Sequence, residues 1–193
     1  MLRRTKSKWF ARDRPRDPAS IAGAVAFTSF RLALESIKRM RTAHFSIEAD
    51  ARYFVFLREF LVFLIQVADR LVAPRCDLAT RTQFLTVLCH RLGTLLGENQ
   101  ADLLGGDATA IRHGFIDLVN ERADAYATFG FGASGPDFAF SRYCAHQLLA
   151  EADASDRAWL VDQIVSIEAP AAVETLRPLV DNLVATAPGS AIA

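Results

Sequence analysis

His113, Asp117 and Glu121 recur every four residues, so a helix would line them along one face, with Asp124 close by. Imidazole and carboxylate groups in such an array can ligate a divalent metal. The same face lies opposite an apolar stripe of Phe115 and Val119, where a solvated surface belongs. The ExxH motif that helps build carboxylate-bridged metal sites inside helical bundles does not occur in the chain. A metal-dependent enzyme using these three residues is therefore the weaker alternative, and the chain is expected to carry no cofactor and no metal.

Gly130 to Gly135 reads GFGASG and fits GxGxxG, whose glycines in a dinucleotide site let a strand turn tightly into a helix with phosphate at the helix N-terminus. Here the preceding DLVNERADAYATF has helical period, so no βαβ unit frames the motif. It reads as a loop between helices, anchored to the core by Phe129, Phe131 and Phe138.

Arg122 poses a different problem. On a helical wheel it falls within the apolar face formed by Ile111, Phe115 and Tyr126, and a buried guanidinium requires a partner. Glu59, on the polar stripe of an otherwise apolar helix, is the natural one. Such a pair most often serves structure; a group that meets the polar end of a ligand is the alternative. His146 lies close to Arg142 and Cys144, but residues two apart point to different faces, so Cys144 and His146 cannot act as nucleophile and base for one another. His90 shares a polar face with Gln83, Thr86 and Thr94, and His44 falls in an interhelical turn.

Arg4, Lys6, Lys8, Trp9 and Phe10 place aromatics among cations at the N-terminus. That mixture can dock on an anionic membrane surface, stack on nucleic acid or plug a partner's groove. Residues 1–17 carry seven lysines and arginines against two aspartates, and Pro15 and Pro18 interrupt any helix, so the segment is expected to be a flexible arm.

These residues must be positioned by helices. Pro18 to about Ala43 has helical period, with Ile21, Ala26, Phe30, Ala33, Ile37 and Met40 facing one way. Ser46 looks like the N-cap of a second helix that ends at Ala73, before Pro74. Its stretch YFVFLREFLVFLIQVADRL raises the question of a membrane span. The polar residues Glu48, Arg52, Glu59, Gln66 and Arg70 fall on one stripe, however, and the apolar arc covers roughly 200° of the wheel. Arg58 would lie near a bilayer centre at a cost of at least about 2.5 kcal/mol. The longest apolar run, Phe60 to Ile65, is six residues, far short of the roughly twenty a span needs. The stretch therefore reads as a core helix with neighbours on several sides.

Asp77 is the expected cap of a third helix packing through Leu78, Phe84, Leu85, Leu88, Leu92 and Leu95, with GENQ and LLGGD as the next connection. Asp107 caps a fourth, which packs through Ile111, Phe115, Leu118, Val119, Tyr126 and Phe129. Pro136 opens a fifth through about Glu151, Ser155 caps a sixth to Glu168, and a last helix begins near Pro170 with a possible bend at Pro178.

The expected fold class is thus an all-α, single-domain bundle of six or seven helices over residues 18–187, between the basic arm and a disordered tail at 188–193. At 193 residues, 51% hydrophobic and 23% charged, the chain is globular and suits one core. Lysine plus arginine balance aspartate plus glutamate at 22 each, which removes the usual electrostatic argument for a nucleic-acid binder. Cys76, Cys89 and Cys144 form no CxxC pair and read as reduced thiols in a cytoplasmic protein; the preference for arginine over lysine leans towards a bacterial source. No secretory signal or transmembrane segment is expected.

With no convincing catalytic constellation, the leading expectation is a non-enzymatic interaction, assembly or regulatory protein. It would self-associate, as a homodimer, or bind a protein partner through the arm, with contact to a membrane surface through the arm alone. The second expectation is a binder of a hydrophobic small molecule or lipid between the Phe-rich helices, with Arg122, Glu59 or His146 meeting its polar end.

Overall fold

Periodic apolar residues shape the first helix, α1 (Pro18–Thr42), which buries Ile21, Val25, Ala26, Phe30, Ala33, Ile37 and Met40 along one side. The computed structural model describes residues 18–184 apart from positions 49 and 151, with side chains through Val180; the N-terminal arm, including Arg4, Lys6, Lys8, Trp9 and Phe10, lies outside the described residues. Alone among the described helices, α1 is long and apolar enough to cross a membrane, and 56% of its most apolar window is buried inside the fold, as in a core helix.

The end of α1 explains why the second helix starts later than Ser46. His44 takes a left-handed conformation (φ 68°), the Phe45 N–H donates to the Met40 carbonyl at 3.0 Å and the His44 N–H to the Arg41 carbonyl at 3.0 Å. This is the Schellman arrangement, with histidine where glycine is usual. The chain leaves it extended, and the Ser46 N–H donates to Asp156 at 2.7 Å. The carboxylate that caps the second helix belongs to Asp50, which accepts the N–H groups of Arg52 and Tyr53.

That helix, α2 (Ala51–Val72), is the axis of the molecule: it touches α1, α3, α4, α5 and α7, whose ranges follow, and is buried almost all round. Two members of its polar stripe, Glu59 and Gln66, are buried as well. A short 3₁₀ turn, Ala73–Arg75, carries Pro74 and leads to Asp77, which caps α3 (Leu78–Leu104) by accepting the Thr80 N–H. Leu78, expected in the core, is 75% exposed, because the first residue of α3 lies on the outer side of the turn.

The GENQ segment is helical, not a connection. Gly97 sits inside α3 because the start of α4 (Ala108–Ala127) crosses directly over it: a Cβ at Gly97 would lie 2.4 Å from the Ala108 carbonyl oxygen. Only Gly105 (φ 80°), Gly106 (φ 108°) and Asp107 form the turn, with Asp107 capping α4 through the Thr109 N–H. Gly97→Ala is therefore expected to destabilise the fold by about 1–3 kcal/mol. Gly114→Ala, in open space on α4, is expected to stabilise it by about 0.5–1 kcal/mol. Paired urea denaturation curves test the opposite signs.

GFGASG folds into a minimal hairpin, β1 (Phe131–Gly132) antiparallel to β2 (Gly135–Pro136). Pro136 thus belongs to a strand, and Asp137 caps α5 (Phe138–Leu149). The Asp137 carboxylate accepts the N–H groups of both Phe140 (2.7 Å) and Gly130 (2.8 Å). The protein's own anion occupies the place a phosphate would take. Phe138 is 62% exposed instead of anchoring the loop; the anchor is Phe140, whose ring meets Phe63, Tyr126 and Phe131.

Ser155 does not cap the sixth helix; its hydroxyl donates to Asp156 at 3.1 Å. The first N–H groups are satisfied by a preceding turn, with Asp156 and Arg157 both donating to the Asp153 carbonyl. Helix α6 (Arg157–Gln163) then continues without a break through a π turn, Ile164–Glu168, into α7 (Ala169–Val184), the Ala169 N–H reaching back five residues to the Ile164 carbonyl. Pro170 has no N–H to offer the Ser166 carbonyl, and the wider turn just before it relieves the clash of its ring. The π turn holds Glu168 fully buried, where it accepts from Arg39 at 2.6 Å and Gln163 at 3.0 Å. The fold is all-α: seven helices among the described residues, the last two joined into one rod.

Candidate ligand-binding cleft

Three helices leave a cleft of about 550 Å³ between them, walled by α2, α3 and α4. Each helix contributes residues at three- and four-residue spacing, the period at which one helix face repeats. From α2 come Ile65, Gln66, Asp69 and Arg70, and from α3 Arg81, Leu85, Thr86, Cys89 and His90. The wall from α4 is mostly apolar, with Ile116, Val119 and Ala123 beside Asn120 and Asp124.

Most of the polar groups on these walls are held in place. Asp69 is buried and takes both arms of a bidentate pair from Arg81, Nε to Oδ1 and Nη2 to Oδ2, each 2.6 Å. Such fork-to-fork pairing fixes direction as well as distance. Arg70 donates to the Tyr126 carbonyl at 2.9 Å, satisfying a backbone acceptor at the C-terminal end of α4. Gln66 differs: it is only 8% exposed, it lines the cleft, and its carboxamide has no hydrogen-bond partner among the described residues. A buried amide without a partner costs about 1–3 kcal/mol, so an orphan on the most rigid helix of the fold marks a place where something else is to bind.

Burial and, secondarily, the Asp69 carboxylate push the Cys89 thiol up from 9.0 to about 11. It is therefore protonated at neutral pH and unlike an activated nucleophile. At pH 8 its ionised fraction is about 200-fold below that of an ordinary cysteine, so alkylation by iodoacetamide in the native protein is expected to be slower than that of free cysteine by about that factor. Site-resolved mass spectrometry measures it. Because the folded value is the higher one, the stability lent by the neutral thiol is complete below 9.0 and is lost as pH rises towards 11.

No family model, curated protein or solved structure matches the chain significantly. The geometry alone must therefore locate a site.

The candidates from sequence fall elsewhere. Arg122 meets Glu59, Nη2 to Oε1 at 2.9 Å and Nε to Oε2 at 3.3 Å, and its other arm donates to Glu121. The guanidinium is thereby engaged on both sides. His146 is exposed on α5, and none of Glu59, Arg122 and His146 lines the cleft. His113, Asp117 and Glu121 are exposed on α4, with His113 beside Arg112 at 3.3 Å and Glu121 drawn to Arg122. Among the described residues no group of three or more metal-ligating side chains is placed to hold an ion.

Sequence reasoning missed Asp69, Arg81 and Cys89, and placed Gln66 on a polar stripe without asking what faced it. The available signal was the spacing of Gln66, Asp69 and Arg70 at i, i+3 and i+4 within a helix otherwise apolar.

Proposed function

We propose that this protein is a non-enzymatic binder of a small molecule, which lodges in the cleft between α2, α3 and α4. The observation that carries the reading is Gln66, nine-tenths buried, unpartnered, and opening on a cleft of about 550 Å³, a volume within the usual range of about 300–1,000 Å³ for ligand pockets. The apolar wall from α4 supplies contact area, and the pinned Asp69–Arg81 pair supplies a rigid polar edge. This keeps the expectation of a ligand between helices but moves it away from Arg122 and His146. The rival expectation, a self-associating protein with a partner-binding arm, rests on residues outside those described, whereas the cleft lies wholly within them.

A fragment screen by methyl NMR on the full-length chain tests the proposal. Hits are expected to shift the methyl signals of Ile65, Leu85, Ile116 and Val119, and to do so no longer in Ala123→Trp, where an indole fills the cleft. Fragments that bind Ala123→Trp and the native chain alike, with Ala123→Trp melting as a folded protein, would reject the cleft as the site.

A further inference from the structure

The charges on the inner walls of the cleft cancel. Asp69 and Arg81 neutralise one another through two 2.6 Å hydrogen bonds, and Arg70 is turned to the Tyr126 carbonyl. Asp124 and His90 are exposed residues on the walls. A charged ligand entering this space would lose its hydration without gaining an uncommitted countercharge. The group left unsatisfied is the Gln66 carboxamide, which holds a carbonyl acceptor and an NH₂ donor side by side in one plane. Around it stand Ile65, Val119 and Ala123.

We infer that the ligand is an uncharged, flat, largely apolar molecule that presents a hydrogen-bond donor next to an acceptor, as a lactam or a primary amide does, and that Gln66 reads that edge. The inference rests on the cleft being the binding site, as proposed above. Its chemical content is that specificity comes from the paired edge. A site built to hydrogen-bond a substrate N–H discriminates strongly against an analogue lacking it, because a buried polar group is then left unpaired, whereas apolar walls tolerate a changed outline.

Three probes of nearly the same shape separate the possibilities: 2-quinolinone, which carries the N–H and C=O pair; N-methyl-2-quinolinone, which lacks the donor; and quinoline-2-carboxylate, which is charged. Each is titrated by NMR and calorimetry into the full-length chain, into Gln66→Leu and into Ala123→Trp. The lactam is expected to bind the native chain at least about 10-fold more tightly than its N-methyl analogue, and the carboxylate more weakly than either. Gln66→Leu should abolish the preference by weakening the lactam alone, and Ala123→Trp should remove binding of all three. If the N-methyl compound or the carboxylate binds the native chain as well as the lactam, and Ala123→Trp abolishes that binding, the ligand class is wrong while the cleft stands. If none of the probes and no member of the fragment library shifts the cleft methyls, the binding site itself is refuted and the ligand class falls with it.

Discussion

Replacing Glu59 by alanine is expected to lower the stability of the fold by about 3–5 kcal/mol, the usual penalty for removing one partner of a buried ion pair. Arg122 would remain on the inner face of α4 with its side chain only 18% exposed and its two hydrogen bonds to Glu59 gone. Those bonds hold the guanidinium more firmly charged than an ordinary arginine, against the opposing effect of burial. Glu121 is no substitute, since its side chain is 67% exposed and engages only one arm. Replacing both partners, Glu59→Leu with Arg122→Met, is expected to return the protein to within about 1 kcal/mol of its native stability, because both desolvated charges disappear together. A double-mutant cycle by urea denaturation measures this. If Glu59→Ala alone cost less than about 1 kcal/mol, the guanidinium would be escaping to water and the pair would count as a surface pair.

Phe140→Ala is expected to have a comparable effect, about 3–5 kcal/mol, for a wholly different reason. No charge is involved; the ring is fully buried and joins four parts of the structure. It meets Phe63 of α2 edge-on with centroids 5.8 Å apart, Tyr126 of α4 at 4.7 Å and Phe131 of the hairpin at 5.9 Å, while itself belonging to α5. Truncation leaves a cavity with walls on separate helices, which cannot close by moving a single side chain. Phe140→Leu keeps much of the volume and should cost about 1–2 kcal/mol. Denaturation midpoints give the ranking, and loss of near-ultraviolet dichroism from Tyr126 in the alanine variant would show that the aromatic cluster has loosened. Equal stabilities for the two variants would mean that the site collapses freely and that Phe140 is not the hub.

The two cases also show what periodicity reveals. A cation in the middle of an apolar stripe demands a partner wherever the helices go, and Glu59 was an acid on the most apolar helix, so their meeting could be anticipated from residue types alone. Phe140 carries no such demand. In PDFAFSRYCAHQLLAE two phenylalanines stand two apart, and only the hairpin, tied by Asp137 to Gly130, decides that Phe140 points inward and Phe138 out. Caps were legible where the carboxylate directly precedes the helix, as at Asp77 and Asp107, and misread at Ser46, where the close of α1 carries the chain past the serine. Gly97 was misread because glycine signals a break in sequence, whereas here it serves the close passage of another backbone. The cleft was hidden for a related reason: a polar stripe on a helix looks the same whether it faces solvent or a gap between two neighbours. Gln66 has the sequence environment of the first and the surroundings of the second.

The π turn between α6 and α7 bears on how that rod can be altered. Leu160, Ile164, Glu168, Ala172, Leu176 and Val180 are all buried and follow one another at intervals of four. In an unbroken α-helix each step of four overshoots a full circle by about 40°, so five steps would carry the series about 200° around the axis, from the core to the solvent. One surplus residue wound into the turn withdraws about 100° of that drift and brings both ends of the rod back to the same side. The rod thus behaves as two helices spliced out of phase, with Ser166 and its neighbours as the splice. Excising a single residue there would leave the composition almost untouched and yet turn one half of the rod's apolar side outward. Length at this point is held as tightly as any side chain.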